Sequence, residues 1–175
     1  MQKVILFFLI FGLSFSICSF DTAGKDKIEW LTVAEMQVAY GKLQKPILID
    51  VYTNWCGWCK VMDKVTYKNN NVVKYINEHF YAIKLDAEST DVFEWGANKF
   101  EYDTQLKVNG LSVYLLNGEL SFPSTVFLTD LNAQPAALPG YLKPTEIEAP
   151  LKFFGDGIYK VSTFTEFARS FKTNW

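Results

Sequence analysis

The sequence predicts an α/β domain, a mixed central sheet flanked by helices, and three observations carry that reading. Ile47-Leu48-Ile49-Asp50-Val51-Tyr52 is a nearly continuous apolar run with one acid inside, the pattern of a buried central strand. Around it the chain reads helix, strand, helix, strand, which implies a right-handed crossover and a parallel strand pair. A chain of 175 residues that is 49% hydrophobic and 17% aromatic has the material for one domain with a sizeable core.

The elements follow in order. Residues 32–44 read as a helix with Val33, Met36, Tyr40 and Leu43 on one face and a Thr32/Glu35 capping box. Pro46 stops it, and residues 47–52 form the buried strand. Residues 56–67 continue as a helix with Met62 and Val65 inward, and residues 71–80 as another through Val73, Ile76 and Phe80. Residues 81–85 give the second strand. A small hairpin is expected from residues 93–95 and 99–102 around Gly96, and a helix over 111–116 ending near Asn117-Gly118. Residues 124–129 form a strand, 130–134 a turn, and 136–141 a shorter strand or extended segment. A helix over 145–154 contains Pro150, which predicts a kink or a late start. The last helix starts at Thr163, is capped with Glu166, and is expected to bury Phe164, Phe167 and Phe171. His79, late in its helix, reads as a helix-end group rather than a catalyst.

The net charge of -2 excludes nucleic acid as the main partner, because no basic excess exists to displace phosphate counterions. One histidine and three cysteines exclude most zinc-finger-like sites. Residues 1–19 read as a secretory signal peptide: Lys3, an apolar run from Val4 to Phe15, then Ser16 and Cys18 in a small-x-small cleavage pattern. The run is shorter than the about 20 apolar residues of a comfortable transmembrane helix. The alternatives are a lipidated Cys18, disfavoured by the large Ile17 before it, and an uncleaved anchor. Only these two would tie the protein to a membrane. All three place the domain outside the cytoplasm, periplasmic or secreted, where disulfide chemistry is possible.

If Cys18 leaves with the leader, Cys56 and Cys59 remain and can partner only each other. A Cys-x-x-Cys after a strand and opening a helix suits redox chemistry. The helix start offers unpaired N–H groups and partial positive charge, which stabilise the nucleophilic thiolate. Cys56 is expected exposed at the helix tip, with Cys59 one turn on and partly buried. A static bridge closes too small a loop to stabilise much. Half a zinc site lacks two ligands, with only His79 at hand.

The segment Val51-Tyr52-Thr53-Asn54-Trp55-Cys56-Gly57-Trp58-Cys59-Lys60 resembles the active-site segment of thioredoxins, and Phe122-Pro123-Ser124-Thr125-Val126-Phe127-Leu128 resembles their cis-proline loop and following strand. Cys59-Lys60-Val61-Met62-Asp63, Asn77-Glu78-His79-Phe80 and Lys84-Leu85-Asp86 are similar to a secreted bacterial thioredoxin-like branch. That branch also resembles the C-terminal domain of the transmembrane thiol-disulfide interchange protein. The likeness runs from about Ile28 to the C-terminus, with residues 88–120 as an insertion before the cis-proline strand.

The resemblance implies a thioredoxin fold, a redox disulfide Cys56–Cys59, and no cofactor or metal. Cys56 attacks the substrate and Cys59 resolves. Asp50 is a buried acid of raised pKa that takes the Cys59 proton, with Lys84 near it. The other readings are a strand-end acid and a solvated strand-end lysine. Pro123 is cis and exposes the backbone of Phe122 to a substrate strand; otherwise it only initiates a strand. Trp55, Gly57 and Trp58 complete the substrate surface, Trp55 doubling as core packing. Trp58 departs from the family, where thioredoxins carry proline and isomerases or oxidases often carry histidine. It offers no charge, so the Cys56 pKa is expected near ~7. The expected function is reduction or exchange of disulfides in exported proteins, supplied by an upstream thiol-disulfide electron donor. The alternatives are an isomerase or oxidase, and a redox-silent binding or chaperone module.

Overall fold

The computed structural model describes residues 26–175, and the expected leader over 1–19, Cys18 included, lies outside them. The elements run β1 (Trp30–Leu31), α1 (Val33–Lys42), β2 (Ile47–Tyr52), α2 (Gly57–Val65), α3 (Asn70–His79) and β3 (Tyr81–Asp86). There follow β4 (Phe93–Trp95), β5 (Asn98–Phe100), β6 (Tyr102–Asp103), β7 (Val108–Asn109) and α4 (Gly110–Leu115). The chain closes with β8 (Ser124–Leu128), β9 (Ala136–Pro139), α5 (Pro144–Gly155), a 3₁₀ turn at Ile158–Lys160 and α6 (Phe164–Ser170).

Among the described residues the central sheet has the order β1-β3-β2-β8-β9. β1 and β2 run parallel to β3, while β8 is antiparallel to both β2 and β9, so the sheet is mixed. Side chains of a strand alternate between faces. Ile47, Ile49 and Val51 therefore enter one core with Met36 of α1, Trp95, Leu111 and Leu115. Leu48 enters the other with Met62, Ile76, Phe127 and Leu151. Asp50 shares the parity of Leu48, which turns it toward the side of α2. Residues 88–120 are no mere appendage: Trp95, Leu111 and Leu115 are buried in the first core.

Local signals set several ends. Thr32 and Glu35 form a reciprocal capping box at α1, and Thr163 and Glu166 do the same at α6. Asn69 caps α3 by accepting from the N–H groups of Asn71 and Val72.

Four expectations are corrected. Leu43 is exposed, because α1 ends at Lys42 and the chain turns extended there, off the helical face. Val65 is 46% exposed. The buried stripe of α2 runs Cys59, Met62 and on to Thr66, and Val65 lies about 100° round the helix from Thr66. The expected hairpin also divides: β4 pairs with β5, but Tyr102 opens a separate pair, β6 with β7. In α6 no residue is fully buried: Phe164 and Phe167 pack on Phe153 at 5.3 and 5.7 Å but keep faces open to solvent. The two-residue β1 is too short for periodicity to reveal.

Candidate active site

β2 and β8 carry the site to one end of the sheet. Val51 near the end of β2 pairs with Ser124 at the start of β8, so the loop after β2 meets the residue before Ser124, Pro123. The Phe122–Pro123 peptide bond is cis. The loop after β2 is tied down: Asn54 donates to Asp86 at 2.8 Å, and the Ala87 N–H donates to the Tyr52 carbonyl at 2.8 Å.

Cys56 is the N-cap of α2, and its sulfur accepts the Cys59 N–H at 3.0 Å. That amide is one of the donors a helix start leaves without an intrahelical partner. The same contact stabilises a thiolate once the bond to Cys59 is broken. In this structure Cys56 and Cys59 are joined as a disulfide, with Cα atoms 5.3 Å apart. Cys56 is 4% exposed rather than open at the helix tip. Its sulfur turns inward to Cys59, and the flanking Trp55 and Trp58 project instead, at 67% and 62% exposure.

On the α2 side of the sheet, Asp50 is 2% exposed. Burial pushes its carboxyl up to about 6, against the opposing pull of Lys84. Lys84 faces Asp50 across the β2–β3 pairing, with Nζ 3.2 Å from Oδ2. Its ammonium also pairs with Asp63 of α2 and lies over the rings of Tyr52 and Trp30 at 5.1 and 5.4 Å. Burial alone would lower the Lys84 pKa, but Asp50 and Asp63 outweigh it and hold it above its ordinary value. Asp50 Oδ1 is buried outside the ion pair with Lys84, and the Tyr67 hydroxyl stands close enough to the carboxyl to oppose part of the rise in its pKa. Beside it, the buried Tyr67 hydroxyl is 3.5 Å from Thr125 Oγ1, and burial holds its pKa well above the ordinary one.

Trp55 donates through Nε1 to Glu88 at 2.9 Å and meets Phe122 edge-on at 6.1 Å. Trp58 stacks on Tyr141 with centroids 5.5 Å apart. Trp58, Phe122, Pro123, Gly140 and Tyr141 line an open cavity of about 280 Å³. The Gly140 N–H donates to the Pro123 carbonyl at 2.7 Å, and Gly140 has φ +95°, which suits glycine. Sequence reasoning missed Asp63, Glu88, Gly140 and Tyr141 as neighbours of the site. Only Gly140 carried a local signal, a Pro-Gly pair after a strand.

A Cys-x-x-Cys disulfide at a helix start, beside a cis-proline on a mixed five-stranded sheet, defines a thioredoxin-fold protein. A family model, Thioredox_DsbH, described as "Protein of unknown function, DUF255", matches residues 20–164, and the chain belongs to that family. "Uncharacterized protein B0495.5" of Caenorhabditis elegans is 29% identical over 109 residues, 62% of this chain. The match spans only 13% of that relative's length. A thioredoxin-fold protein from Helicobacter pylori superposes with a TM-score of 0.54 at 24% identity, covering 71% of this chain and 78% of the other. A structure described as "DsbH Oxidoreductase" gives 0.52 at 17%, covering 78% and 87%. A putative disulphide-isomerase from Bacteroides thetaiotaomicron gives 0.51 at 23%, covering 73% and 93%. These structural likenesses establish the shared fold.

Proposed function

We propose that this protein is an extracytoplasmic thiol-disulfide oxidoreductase that reduces or exchanges disulfides in exported proteins. The observation that carries the reading is the Cys56–Cys59 disulfide on the first turn of α2, with a helix N–H already directed at the Cys56 sulfur. Membership of the family supports it, as do the oxidoreductase and putative isomerase that share the fold. The signal-like residues 1–19 support export. Among the described residues no helix is long and apolar enough to cross a membrane.

In the reducing direction the protein starts as the dithiol. The Cys56 thiolate attacks one sulfur of a substrate disulfide, a mixed disulfide forms, and the other substrate sulfur leaves as a thiol after protonation. Cys59 then loses its proton to Asp50 and attacks Cys56, which releases the second substrate thiol. Two electrons and two protons pass to the substrate, and the Cys56–Cys59 disulfide forms. An upstream dithiol donor restores the starting state. Asp50 suits its step because a carboxyl with a pKa of about 6 exchanges protons near neutrality. Its buried Oδ1, which lies outside the ion pair with Lys84, is the atom left to accept one. Lys84 acts through Asp50 as a positioning residue. Trp55, Gly57, Trp58, Phe122 and Pro123 form the surface that meets the substrate strand.

The test is insulin-disulfide reduction by the purified protein cycled with dithiothreitol, with Cys56→Ser as control, together with equilibration in glutathione buffers. We expect reduction that Cys56→Ser abolishes and a potential of about -270 to -200 mV, between thioredoxin and glutaredoxin. A wild type no faster than Cys56→Ser would leave a redox-silent binding module. A potential near about -120 mV, that of a strong oxidant, would put an oxidase in place of a reductase.

A further inference from the structure

One buried hydroxyl beside Asp50 takes no part in the scheme above. Tyr67 lies just beyond the end of α2 and is 5% exposed. Its N–H bonds the Met62 carbonyl at 3.0 Å, and its ring stands edge-on to Trp30 with centroids 5.1 Å apart. The side chain is thus fixed to the helix that carries Cys59. The second core around it would accept a phenylalanine equally well, so the oxygen itself needs a reason. A buried hydroxyl costs stability unless it is hydrogen-bonded. The contact to Thr125 Oγ1 is 3.5 Å, longer than the about 2.5–3.0 Å of an ordinary O–H···O bond, and compensates little.

Strand register supplies a better acceptor. Asp50 pairs with Thr125 on β8 and with Lys84 on β3, so the three side chains stand in one row on one face of the sheet. Lys84, with Asp63 of α2 beside it, takes Oδ2 from the β3 side. Tyr67 meets the row at its other end, beside Thr125, where Oδ1 lies outside the ion pair. The remaining titratable groups on this side are Tyr52 on the same strand and, once reduced, Cys59 of α2.

Resting on the assignment of Asp50 as proton acceptor, we infer that Tyr67 is a positioning residue of the resolving step: its hydroxyl, backed by Thr125, donates to Asp50 Oδ1 while the carboxyl is ionised and turns to Thr125 when the carboxyl takes the Cys59 proton. A hydroxyl hydrogen rotates to suit its acceptor. With Asp50 ionised, Thr125 donates to Tyr67 and Tyr67 to Asp50, a chain in which each bond strengthens the next. No proton passes through the phenol: the Cys59 S–H bond breaks, an Asp50 O–H bond forms, and Tyr67 keeps its hydrogen. Burial holds the Tyr67 pKa well above its ordinary value, so it remains a donor and never a rival base. The chain stabilises the carboxylate without adding charge, and so lowers the pH at which Asp50 begins to accept protons.

The experiment uses the full chain, reduced with dithiothreitol and freed of excess reagent, mixed in stopped flow with dithiobis(nitrobenzoic acid) at pH values from about 5.5 to 8. The first coloured thiolate appears as Cys56 forms the mixed disulfide, at a rate proportional to reagent. The second appears as Cys59 displaces it, independent of reagent, and needs no protonation to leave. In the wild type the second phase should rise with pH through a midpoint that Asp50→Asn removes. Tyr67→Phe deletes one oxygen and keeps the ring on Trp30. It should move the midpoint up by about one pH unit, the worth of a hydrogen bond to a charged group. That makes the second phase about five-fold slower at pH about 6 and no slower at pH about 8, where the carboxyl is ionised in both proteins. In the Asp50→Asn background the same substitution should change nothing. An unmoved midpoint, or equal slowing at every pH, overturns the role of Tyr67 and leaves Asp50 as the acceptor. A second phase that Asp50→Asn does not alter overturns the Asp50 step and this inference with it. A wild type without a second phase overturns the reductase reading as well.

Discussion

Asp50→Asn gives a stability experiment whose sign and size follow from burial. In the folded protein the Asp50 carboxyl is pushed from an ordinary value of 3.8 up to about 6. Between those two values the folded state binds more protons at this group than the unfolded chain does. Stability contributed by neutral Asp50 is therefore present below pH about 4 and lost as pH rises through about 6. A shift of about two units corresponds to about 3 kcal/mol at 1.36 kcal/mol per unit. Asparagine keeps the shape and cannot ionise, and Lys84 retains Asp63 as its partner in the variant. The assay is urea unfolding of wild type and Asp50→Asn, both with the disulfide intact, at several pH values from about 3.5 to 8. The stability difference, variant minus wild type, should rise by about 3 kcal/mol across that range and level off above pH about 7. A difference that stays constant within about 0.5 kcal/mol would refute the reasoning and mean that Asp50 titrates as an ordinary carboxyl. In single-turnover reduction, the same variant should slow release of the mixed disulfide more than its formation. The two readouts separate a proton acceptor from a residue that only fills space.

Two further outcomes are expected. Trp58→His adds a group that carries positive charge near neutrality beside Cys56, so the reduction potential should move upward and the Cys56 pKa downward, at about 30 mV per 1.4 kcal/mol of thiolate stabilisation. Glutathione equilibration and thiol alkylation against pH measure the pair, and an unchanged potential would remove Trp58 from the account of redox poise. Protein recovered from its native host should have lost the first eighteen or nineteen residues by intact mass. A full-length cytoplasmic product would contradict export, and a lipidated Cys18 would make it a lipoprotein.

The parts of the site legible in the sequence share one property: their signals are local. Cys56 and Cys59 are three apart, and the run 47–52 announces β2 without any partner. The Thr32/Glu35 and Thr163/Glu166 boxes act within a single turn. Errors came where a local pattern met a choice made elsewhere. Val65 fits an apolar helical stripe, but α2 is rotated so that Cys59, Met62 and Thr66 face the sheet. The phenylalanines of α6 fit a buried face, but that helix lies outside both cores and rests on Phe153. Contacts across long separations left no trace in the sequence. Trp55 with Glu88 is one, and Trp58 with Tyr141 another. The C-terminal tail is a third, held by buried Glu148, which accepts from the N–H groups of Asn174 and Trp175.

By itself the sequence determined the class of chemistry. Two cysteines at redox spacing between a buried strand and a helix leave few other uses, because thiolate activation needs only the helix start that follows them. It also determined the order of elements, since hydrophobic period and capping are short-range properties. Tertiary structure alone decided the environment of that chemistry. The Asp50 carboxyl reaches a pKa of about 6 only because β3, α2 and the second core exclude water around it, with Lys84 pulling the other way and Asp63 adding to the rise. The aromatic cavity exists only because the end of β9 brings Tyr141 over Trp58. Desolvation, charge pairing and stacking depend on distances through space, and neighbours remote in the chain set those distances only once the chain has packed.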